Sequence, residues 1–136
     1  MCAAVIFASV LYVIWAVGPA IETRFAPVVG KLQILSIEPG QMEGTTEIHA
    51  AFQKLRECEY LGISWFHGTK EGGFERVPIT LLRQEGDTSS PNRPVGFQKA
   101  GPWIIGIPPD ELTGNSFAQL RHQCWPFWVT TTDFYP

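Results

Sequence analysis

The chain has 136 residues, of which 45% are hydrophobic, 17% charged and 12% aromatic, and its formal net charge is −3. This length favours one domain with its own hydrophobic core, and the sparse charge and many aromatic residues exclude an intrinsically disordered chain. Ten Lys and Arg residues against thirteen Asp and Glu residues leave no basic excess to neutralise phosphates, which argues against nucleic acid as a partner.

The amino-terminal segment is apolar up to Glu22, the first charged side chain. As a helix rising about 1.5 Å per residue, Met1 to Ile21 crosses roughly 30 Å of hydrocarbon. It lacks the polar stripe that a surface helix needs. We therefore expect residues 1–22 to be an uncleaved single-pass transmembrane anchor, with Gly18-Pro19 ending or kinking the helix. A cleaved signal peptide and a buried core helix are the alternatives.

Two features of the anchor bear on its partners and its orientation. Ala4 and Ala8 form one small-xxx-small pair, the spacing at which transmembrane helices approach each other closely, and we expect them to pack against a partner helix. The positive-inside rule gives no clear orientation, because the positive charge of Arg24 lies only two residues from the negative charge of Glu22. The cysteines and the turn-rich body favour a periplasmic or extracytoplasmic position for the rest of the chain.

Residues 23–30 read as a short linker, and residues 31–136 read as a β-domain. Apolar residues alternate in short segments separated by turn residues, among eleven prolines and thirteen glycines. This period of two predicts a mainly β fold, a small β-sandwich-like (immunoglobulin-like) domain. Leu61, Ile63 and Trp65 are expected to share one buried face. The predicted strands lie within residues 31–38, 45–52, 60–67, 74–83, 102–107 and 125–134.

A few segments depart from the alternating pattern. A helical turn is predicted at Gln53–Glu59, a short helix within Pro109–Leu120, and a long polar loop at Gln84–Ala100. Asp110 begins the predicted short helix. Pro78 lies inside a predicted strand and indicates an edge strand or a bulge, because proline cannot donate a hydrogen bond to a neighbouring strand.

The three cysteines are Cys2, Cys58 and Cys124. Cys2 opens the apolar segment, whereas the lipid-modified cysteine of a lipoprotein follows such a segment. Cys58 and Cys124 are compatible with a disulfide, with two separate buried thiols, or with a metal site that includes His122. We favour the disulfide, with the other two kept as alternatives.

Catalytic motifs are scarce in this sequence. His122 and Cys124 would share one face of a strand, with Asp133 downstream, so an anchored hydrolase or metal-binding enzyme can be drawn from these three residues. The sequence has no Walker loop and no GxGxxG, GxSxG or HExxH pattern. We expect a packed histidine beside a disulfide, and no catalytic residue, cofactor or metal.

The carboxy-terminal tail is aromatic. The segment CWPFWVTTTDFYP contains two tryptophans, two phenylalanines and one tyrosine. Aromatic residues with few charges are typical of the centres of protein interfaces. We expect Trp125, Trp128, Phe134 and Tyr135 to contribute to an interaction surface, and the core of the domain is the alternative place for them.

Three segments, RECEYLGISW, NRPVGFQKAGPW and HQCWPFWVTTTDFYP, together with the amino-terminal anchor, resemble small uncharacterised single-pass membrane proteins of tailed phages. The resemblance implies a bacterial or phage origin and a Cys58–Cys124 pairing, and it implies no activity.

These observations predict a membrane-anchored, non-enzymatic structural or interaction protein. In a phage it would be a virion or host-envelope accessory component, and in a cell a minor subunit of a larger membrane assembly. The expected partners are membrane lipid and the protein subunits of that assembly.

Overall fold

The computed structural model describes residues 1–82 and 93–136. A long amino-terminal helix is followed by strands and one short helix. The elements are α1 (Cys2–Phe25), β1 (Gln33–Pro39), β2 (Thr46–Lys54), β3 (Glu59–Thr69), β4 (Gly73–Val77), β5 (Ile79–Leu81), β6 (Gly96–Ile105), α2 (Pro109–Leu112), β7 (Ser116–Trp125) and β8 (Trp128–Phe134).

The strands form two antiparallel sheets of four, in the orders β1-β2-β6-β5 and β4-β3-β7-β8. Ile48 and Ile105 of the first sheet pack in one buried cluster with Trp65 and Leu120 of the second. Burying the apolar faces of two sheets against each other is the source of stability in a β-sandwich. The prediction of a mainly β, sandwich-like domain after an apolar helix is therefore confirmed.

Helix α1 is long and apolar enough to cross a membrane, and the domain does not bury the apolar stretch of this helix. The alternative of a buried core helix is therefore wrong. Of the two outcomes expected at Gly18-Pro19, an end of the helix is wrong, because α1 continues through Pro19 to Phe25, and a kink stays a prediction. A proline removes one backbone hydrogen bond, and contacts between the domain and the following turn, described below, hold the helix beyond it.

The segment after α1 is fixed to the domain. Val28 and Val29 are buried, and Val29 forms a bridge with Lys54 at the end of β2. The amide of Gly30 also donates a hydrogen bond of 2.8 Å to the carbonyl oxygen of Gln53. Residues 23–30, which read as a linker, thus end α1 and enter the core of the sandwich.

A bulge in β3 changes which side chains point inward. Tyr60 pairs with His122, whereas Gly62 pairs with Arg121, so β3 carries one extra residue at this point. Leu61 is consequently exposed, while Ile63 is buried. The expectation that Leu61 shares a face with Ile63 and Trp65 is wrong, because an extra residue reverses the alternation.

A second bulge occurs in β6. Ala50 pairs with Ala100 and Ile48 pairs with Trp103, leaving Gly101 and Pro102 opposite one residue of β2. A Cβ atom at Gly101 would lie 2.9 Å from the carbonyl oxygen of Ile48, so only glycine fits. Ala100 and Trp103 are three positions apart, and the bulge lets both face the space between the sheets.

The remaining predictions have mixed outcomes. The helical turn at Gln53–Glu59 is wrong, since β2 continues to Lys54. The short helix within Pro109–Leu120 is confirmed as α2, which begins at Pro109 rather than at Asp110. Pro78 lies where the chain passes from β4 to β5, each an edge strand of its sheet. Residues 84–92 of the predicted polar loop Gln84–Ala100 lie outside the described residues. The end of this loop is wrong, because β6 begins at Gly96.

The disulfide joins Cys58, just before β3, to Cys124 in β7. This confirms the predicted pairing and excludes two separate thiols at these positions. The bond lies beside the pair Glu59 and Gln123 of adjacent strands, so it links two strands of one sheet. In antibody domains the corresponding bond links the two sheets.

Candidate functional site

The carboxylate of Glu22 joins α1 to the β-domain. Its Oε1 accepts a hydrogen bond of 2.7 Å from Nη1 of Arg56, and its Oε2 accepts one of 2.6 Å from Nε1 of Trp128. Arg56 lies in the loop between β2 and β3, and Trp128 begins β8. Glu22 is only 8% exposed. Hydrogen bonds to an ionised group are stronger than neutral ones, and they gain strength where water is excluded.

Two further hydrogen bonds hold the last turns of α1. Nη1 of Arg56 also donates to the carbonyl oxygen of Ala26 at 2.8 Å. A positive charge there stabilises the carboxy-terminal end of a helix, where carbonyl groups lack partners. The hydroxyl of Thr23 donates to the carbonyl oxygen of Thr131 in β8 at 3.3 Å. The helix is therefore attached to both a loop and an edge strand.

The contact extends towards the amino terminus of α1 through two tryptophans. A Cβ atom on Gly18 would lie 3.0 Å from Cη2 of Trp128, so the absence of a side chain at Gly18 makes room for this indole. One turn earlier, Nε1 of Trp15 donates a hydrogen bond of 2.8 Å to the carbonyl oxygen of Phe127. The hairpin between β7 and β8 therefore lies alongside the helix.

The predicted helix-packing residues lie on the same face of α1 as this contact. Ala4, Ala8, Trp15, Gly18 and Glu22 follow one another at multiples of about three or four residues, the spacing that places side chains along one face of a helix. Ala4 and Ala8 are exposed and lie beyond the part that contacts the domain. The face of α1 that carries Trp15, Gly18 and Glu22 is here called the docked face, and Ala4 and Ala8 continue it towards the amino terminus.

The tip of the β7–β8 hairpin, Trp125 to Trp128, is here called the aromatic tip. Trp125 is 51% exposed and Phe127 is 71% exposed, and the rings of Trp125 and Trp128 lie 6.3 Å apart. Of the four residues expected at an interaction surface, Trp125 and Tyr135 are exposed, Trp128 contacts α1, and Phe134 is buried in the core.

The residues of the hydrolase alternative do not form one site. The sulfur of Cys124 is bonded to Cys58, so it is not a nucleophile or a metal ligand. Asp133 forms an ion pair with Lys70 and lies on the face of β8 opposite to that of Thr130, the residue paired with His122. Within residues 1–82 and 93–136, no group of three His, Cys, Asp or Glu residues is placed to hold a metal ion.

A cavity of about 280 Å³ lies between the two sheets. Its walls are mainly apolar, and Lys54 of β2 and His122 of β7 are among its lining residues. The bulges in β3 and β6 shape this cavity. In a regular strand, residues three positions apart point to opposite faces, but the bulges let Tyr60 and Ile63 of β3 both line the cavity, and likewise Ala100 and Trp103 of β6.

Lys54 brings a poorly compensated positive charge to this cavity. The residue is 2% exposed, and its Nζ donates one hydrogen bond of 3.3 Å, to the carbonyl oxygen of Cys58. Among the described residues no carboxylate forms an ion pair with it. Burial lowers the pKa of Lys54, and the negative charge of Glu57 opposes this effect only in part.

His122 is the second polar group, and it comes from the opposite sheet. It is 2% exposed, and its Nδ1 atom is buried without a hydrogen-bond partner among the described residues. Burial, assisted by the positive charge of Lys54, lowers the pKa of His122 to about 4. The ring of Tyr60 lies edge-on at 5.9 Å. At neutral pH the imidazole is therefore uncharged.

Lys54 is not among the residues that the sequence predicts for a site, because the segment Gln53–Glu59 reads as a helical turn. A signal was present: Ile48, Ala50, Phe52 and Lys54 continue one alternation, which places the lysine on the buried face of the strand. The basic side chain and the charges after it conceal this pattern, since lysine is rarely buried without a partner.

No family model, no curated protein and no solved structure matches this chain. The resemblance to membrane proteins of tailed phages therefore stays a hypothesis. The two features that carry functional information are the contact between α1 and the aromatic tip and the cavity between the sheets.

Proposed function

We propose that this chain is a membrane-anchored, non-enzymatic interaction protein that holds a small β-domain in one fixed orientation at the bilayer surface. Helix α1 spans the membrane once, and the domain lies on the periplasmic or extracytoplasmic side. In a phage the chain is a virion or envelope accessory component, and in a cell it is a minor subunit of a larger membrane assembly.

The hydrogen bond between Trp15 and the carbonyl oxygen of Phe127 carries this proposal. Trp15 precedes Glu22 by seven residues, which is about 10 Å along a helix. The aromatic tip therefore reaches back beside a part of α1 that is apolar throughout. Trp15 lies six residues, about 9 Å, before the end of the apolar segment at Ile21. We therefore place the tip in the outer part of the hydrocarbon, next to the layer where tryptophan and tyrosine are enriched.

The disulfide supports an extracytoplasmic domain. The cytosol keeps most thiols reduced, whereas the periplasm and the cell exterior allow disulfides to persist. The bond between Cys58 and Cys124 is thus the feature of the domain that favours the exported side, independently of the positive-inside rule.

The partner is proposed to be another transmembrane protein. Lipid tails are as apolar as the side chains of α1, so helices associate in membranes through close packing of small residues. A partner helix on Ala4 and Ala8 would lie on the face of α1 that continues to Trp15 and the aromatic tip. Exposed Trp125 and Phe127 would then extend the contact.

Four alanines of α1 provide a matched test of this partner surface. Ala4 and Ala8 lie on the docked face, whereas Ala3 and Ala16 are exposed elsewhere on the helix. Changing Ala4 and Ala8 together to Leu should release the protein from its complex in native gels of mildly solubilised membranes. The double change of Ala3 and Ala16 to Leu should leave the complex intact, although it adds the same apolar volume.

The opposite result would favour the anchored-enzyme alternative. If changing Ala4 and Ala8 to Leu leaves the complex unchanged, while His122→Ala abolishes a hydrolysis catalysed by the wild-type protein, the interaction proposal is wrong. The sidedness is tested separately with Glu43→Cys in a Cys2→Ser background. A membrane-impermeant maleimide should label this residue on intact spheroplasts, and labelling only after lysis would place the domain in the cytoplasm.

A further inference from the structure

The cavity between the sheets is a built space rather than a packing gap. Protein interiors are packed about as densely as organic crystals, with few voids larger than a water molecule. A volume of about 280 Å³ is close to the lower end of the range for small-molecule sites, roughly 300 to 1,000 Å³. The bulges at Gly62 and Gly101 arrange the side chains that surround it.

We propose that this cavity binds a small amphipathic carboxylate, such as a medium-chain fatty acid. The carboxylate lies between Lys54 and His122, and the hydrocarbon chain runs along the apolar walls towards Leu81 and Leu82. This binding site is separate from the contact between α1 and the domain, and it does not depend on the proposed interaction function.

The charge of the ligand follows from the two polar groups. Lys54 is a buried cation whose hydrogen bond to Cys58 is 3.3 Å long, and leaving such a charge without an anion is costly. A carboxylate offers two oxygens, one for the ammonium of Lys54 and one for an N–H at Nδ1 of His122, an atom without a partner among the described residues. A phosphate monoester carries close to two negative charges at neutral pH, which exceeds the charge of Lys54, the fully buried cation among the described residues that line the cavity.

The shape of the ligand follows from the walls. Phe52, Ile63, Leu120 and Phe134 line the cavity together with Trp103, and they offer contact to an alkyl chain. Lys54 and His122 are almost fully buried, whereas Leu81 and Leu82 are each 44% exposed. The polar end is therefore the inner end, and the rim is apolar. Arg93 lines the cavity and its Nη1 donates to Gln98 at 3.5 Å.

Binding is tested by calorimetric titration of octanoate into the full chain in phosphatidylcholine nanodiscs, with empty nanodiscs as the blank. We expect saturable binding of one octanoate per chain. Octanol, which has the same chain and no charge, should bind at least about tenfold more weakly, since hydrogen bonds to charged groups contribute more than neutral ones. Octyl phosphate should also bind more weakly than octanoate.

Two lysines provide matched variants. Lys54→Met keeps the length of the side chain and removes its charge, and it should weaken octanoate binding by about tenfold or more. Lys99 is exposed in β6, and Lys99→Met changes the net charge equally but should leave binding unchanged. Leu82→Trp narrows the rim and should weaken octanoate and octanol together.

Several results would overturn the proposal. Equal binding of octanoate and octanol would show an apolar cavity without an anion site, and tighter binding of octyl phosphate would show a phosphate site. Heats that match those of empty nanodiscs would show no site. If Lys54→Met fails to fold, the wild-type protein still decides: octanoate should raise its thermal midpoint with increasing concentration, and an unchanged midpoint would contradict binding.

Discussion

The indole of Trp15 donates a hydrogen bond of 2.8 Å to the carbonyl oxygen of Phe127, which places the tip of a β-hairpin beside an apolar membrane-type helix. Together with the two hydrogen bonds of Glu22, this contact makes the helix and the domain one unit. A domain attached in this way cannot turn freely relative to α1. Its orientation is set by the orientation of α1.

The first prediction concerns the charge of Glu22. Glu22→Gln removes the ion pair with Arg56 while keeping the shape of the side chain, and it should lower the free energy of unfolding by roughly 1.5–3 kcal/mol, the range for hydrogen bonds to charged groups. Urea unfolding in nanodiscs, followed by circular dichroism, measures the effect. Glu43 is exposed, and Glu43→Gln should change stability by less than about 0.5 kcal/mol. Equal losses of stability in the two variants would show that the buried hydrogen bonds of Glu22 do not stabilise the contact between α1 and the domain.

The second prediction concerns acid stability. The pKa of His122 is lowered from 6.5 to about 4, so between these values the unfolded chain binds a proton that the folded protein does not bind. The free energy of unfolding should therefore fall as the pH falls from 6.5 to 4, by roughly 3 kcal/mol at most for this group. Urea titrations at several pH values measure this slope.

Replacing a histidine with phenylalanine, which does not titrate, tests whether His122 causes this dependence of stability on pH. His122→Phe should flatten the dependence between pH 6.5 and 4, whereas His49→Phe, at a half-exposed position of β2, should leave it in place. Acid sensitivity that is identical in His122→Phe and wild type would show that other groups cause it. Lys54 from β2, Tyr60 from β3 and Arg93 line the same cavity as His122, so both variants keep these three residues unchanged.

The third prediction concerns the stability cost of Lys54. Its ammonium is desolvated and has one hydrogen bond, of 3.3 Å, so Lys54→Met should raise the free energy of unfolding by about 1–4 kcal/mol, as found when buried ionic groups are replaced by apolar ones. A binding residue that lowers stability is common at functional sites. A lower stability of Lys54→Met in urea would show that the protein compensates the charge.

The fourth prediction concerns the disulfide. Peptides containing Cys58 and Cys124 should be joined in mass spectra of non-reduced protein. The bond closes a separation of 66 residues, and in the chain-entropy model its loss costs roughly 4 kcal/mol. Replacing both cysteines with Ala should lower the urea midpoint accordingly, whereas Cys2→Ala should not. Free thiols at both positions would remove the support for an exported domain.

Much of the fold could be predicted from local patterns. The uncharged segment before Glu22 indicates a membrane-type helix, and alternating apolar residues indicate strands, because both patterns follow from which side chains must avoid water. The positions of Cys58 and Cys124 favour a disulfide but are also compatible with two separate thiols. Alternation failed at Leu61, where an extra residue in β3 exchanges the inner and outer faces.

The candidate site depends on contacts between residues far apart in the chain. Glu22 meets Trp128, 106 residues later, and Lys54 of one sheet faces a cavity that also contains His122 of the other. Neither pair has a local spacing that could indicate it. Gly18 and Pro19 disfavour a helix by their own conformational preferences, and the sequence therefore indicates that the helix ends there. The helix continues to Phe25 because residues of the β-domain bind its last turns.

The depth of the aromatic tip in the bilayer tests the central proposal most directly. We would measure quenching of tryptophan fluorescence by lipids brominated near the carbonyl end of the acyl chain, for the wild type, Trp125→Phe and Trp103→Phe. Trp103 lines the internal cavity and serves as the control. The proposal predicts that Trp125→Phe loses a large part of the quenching while Trp103→Phe retains it. Equal quenching in the two variants would place Trp125 in water and contradict a domain held against the membrane.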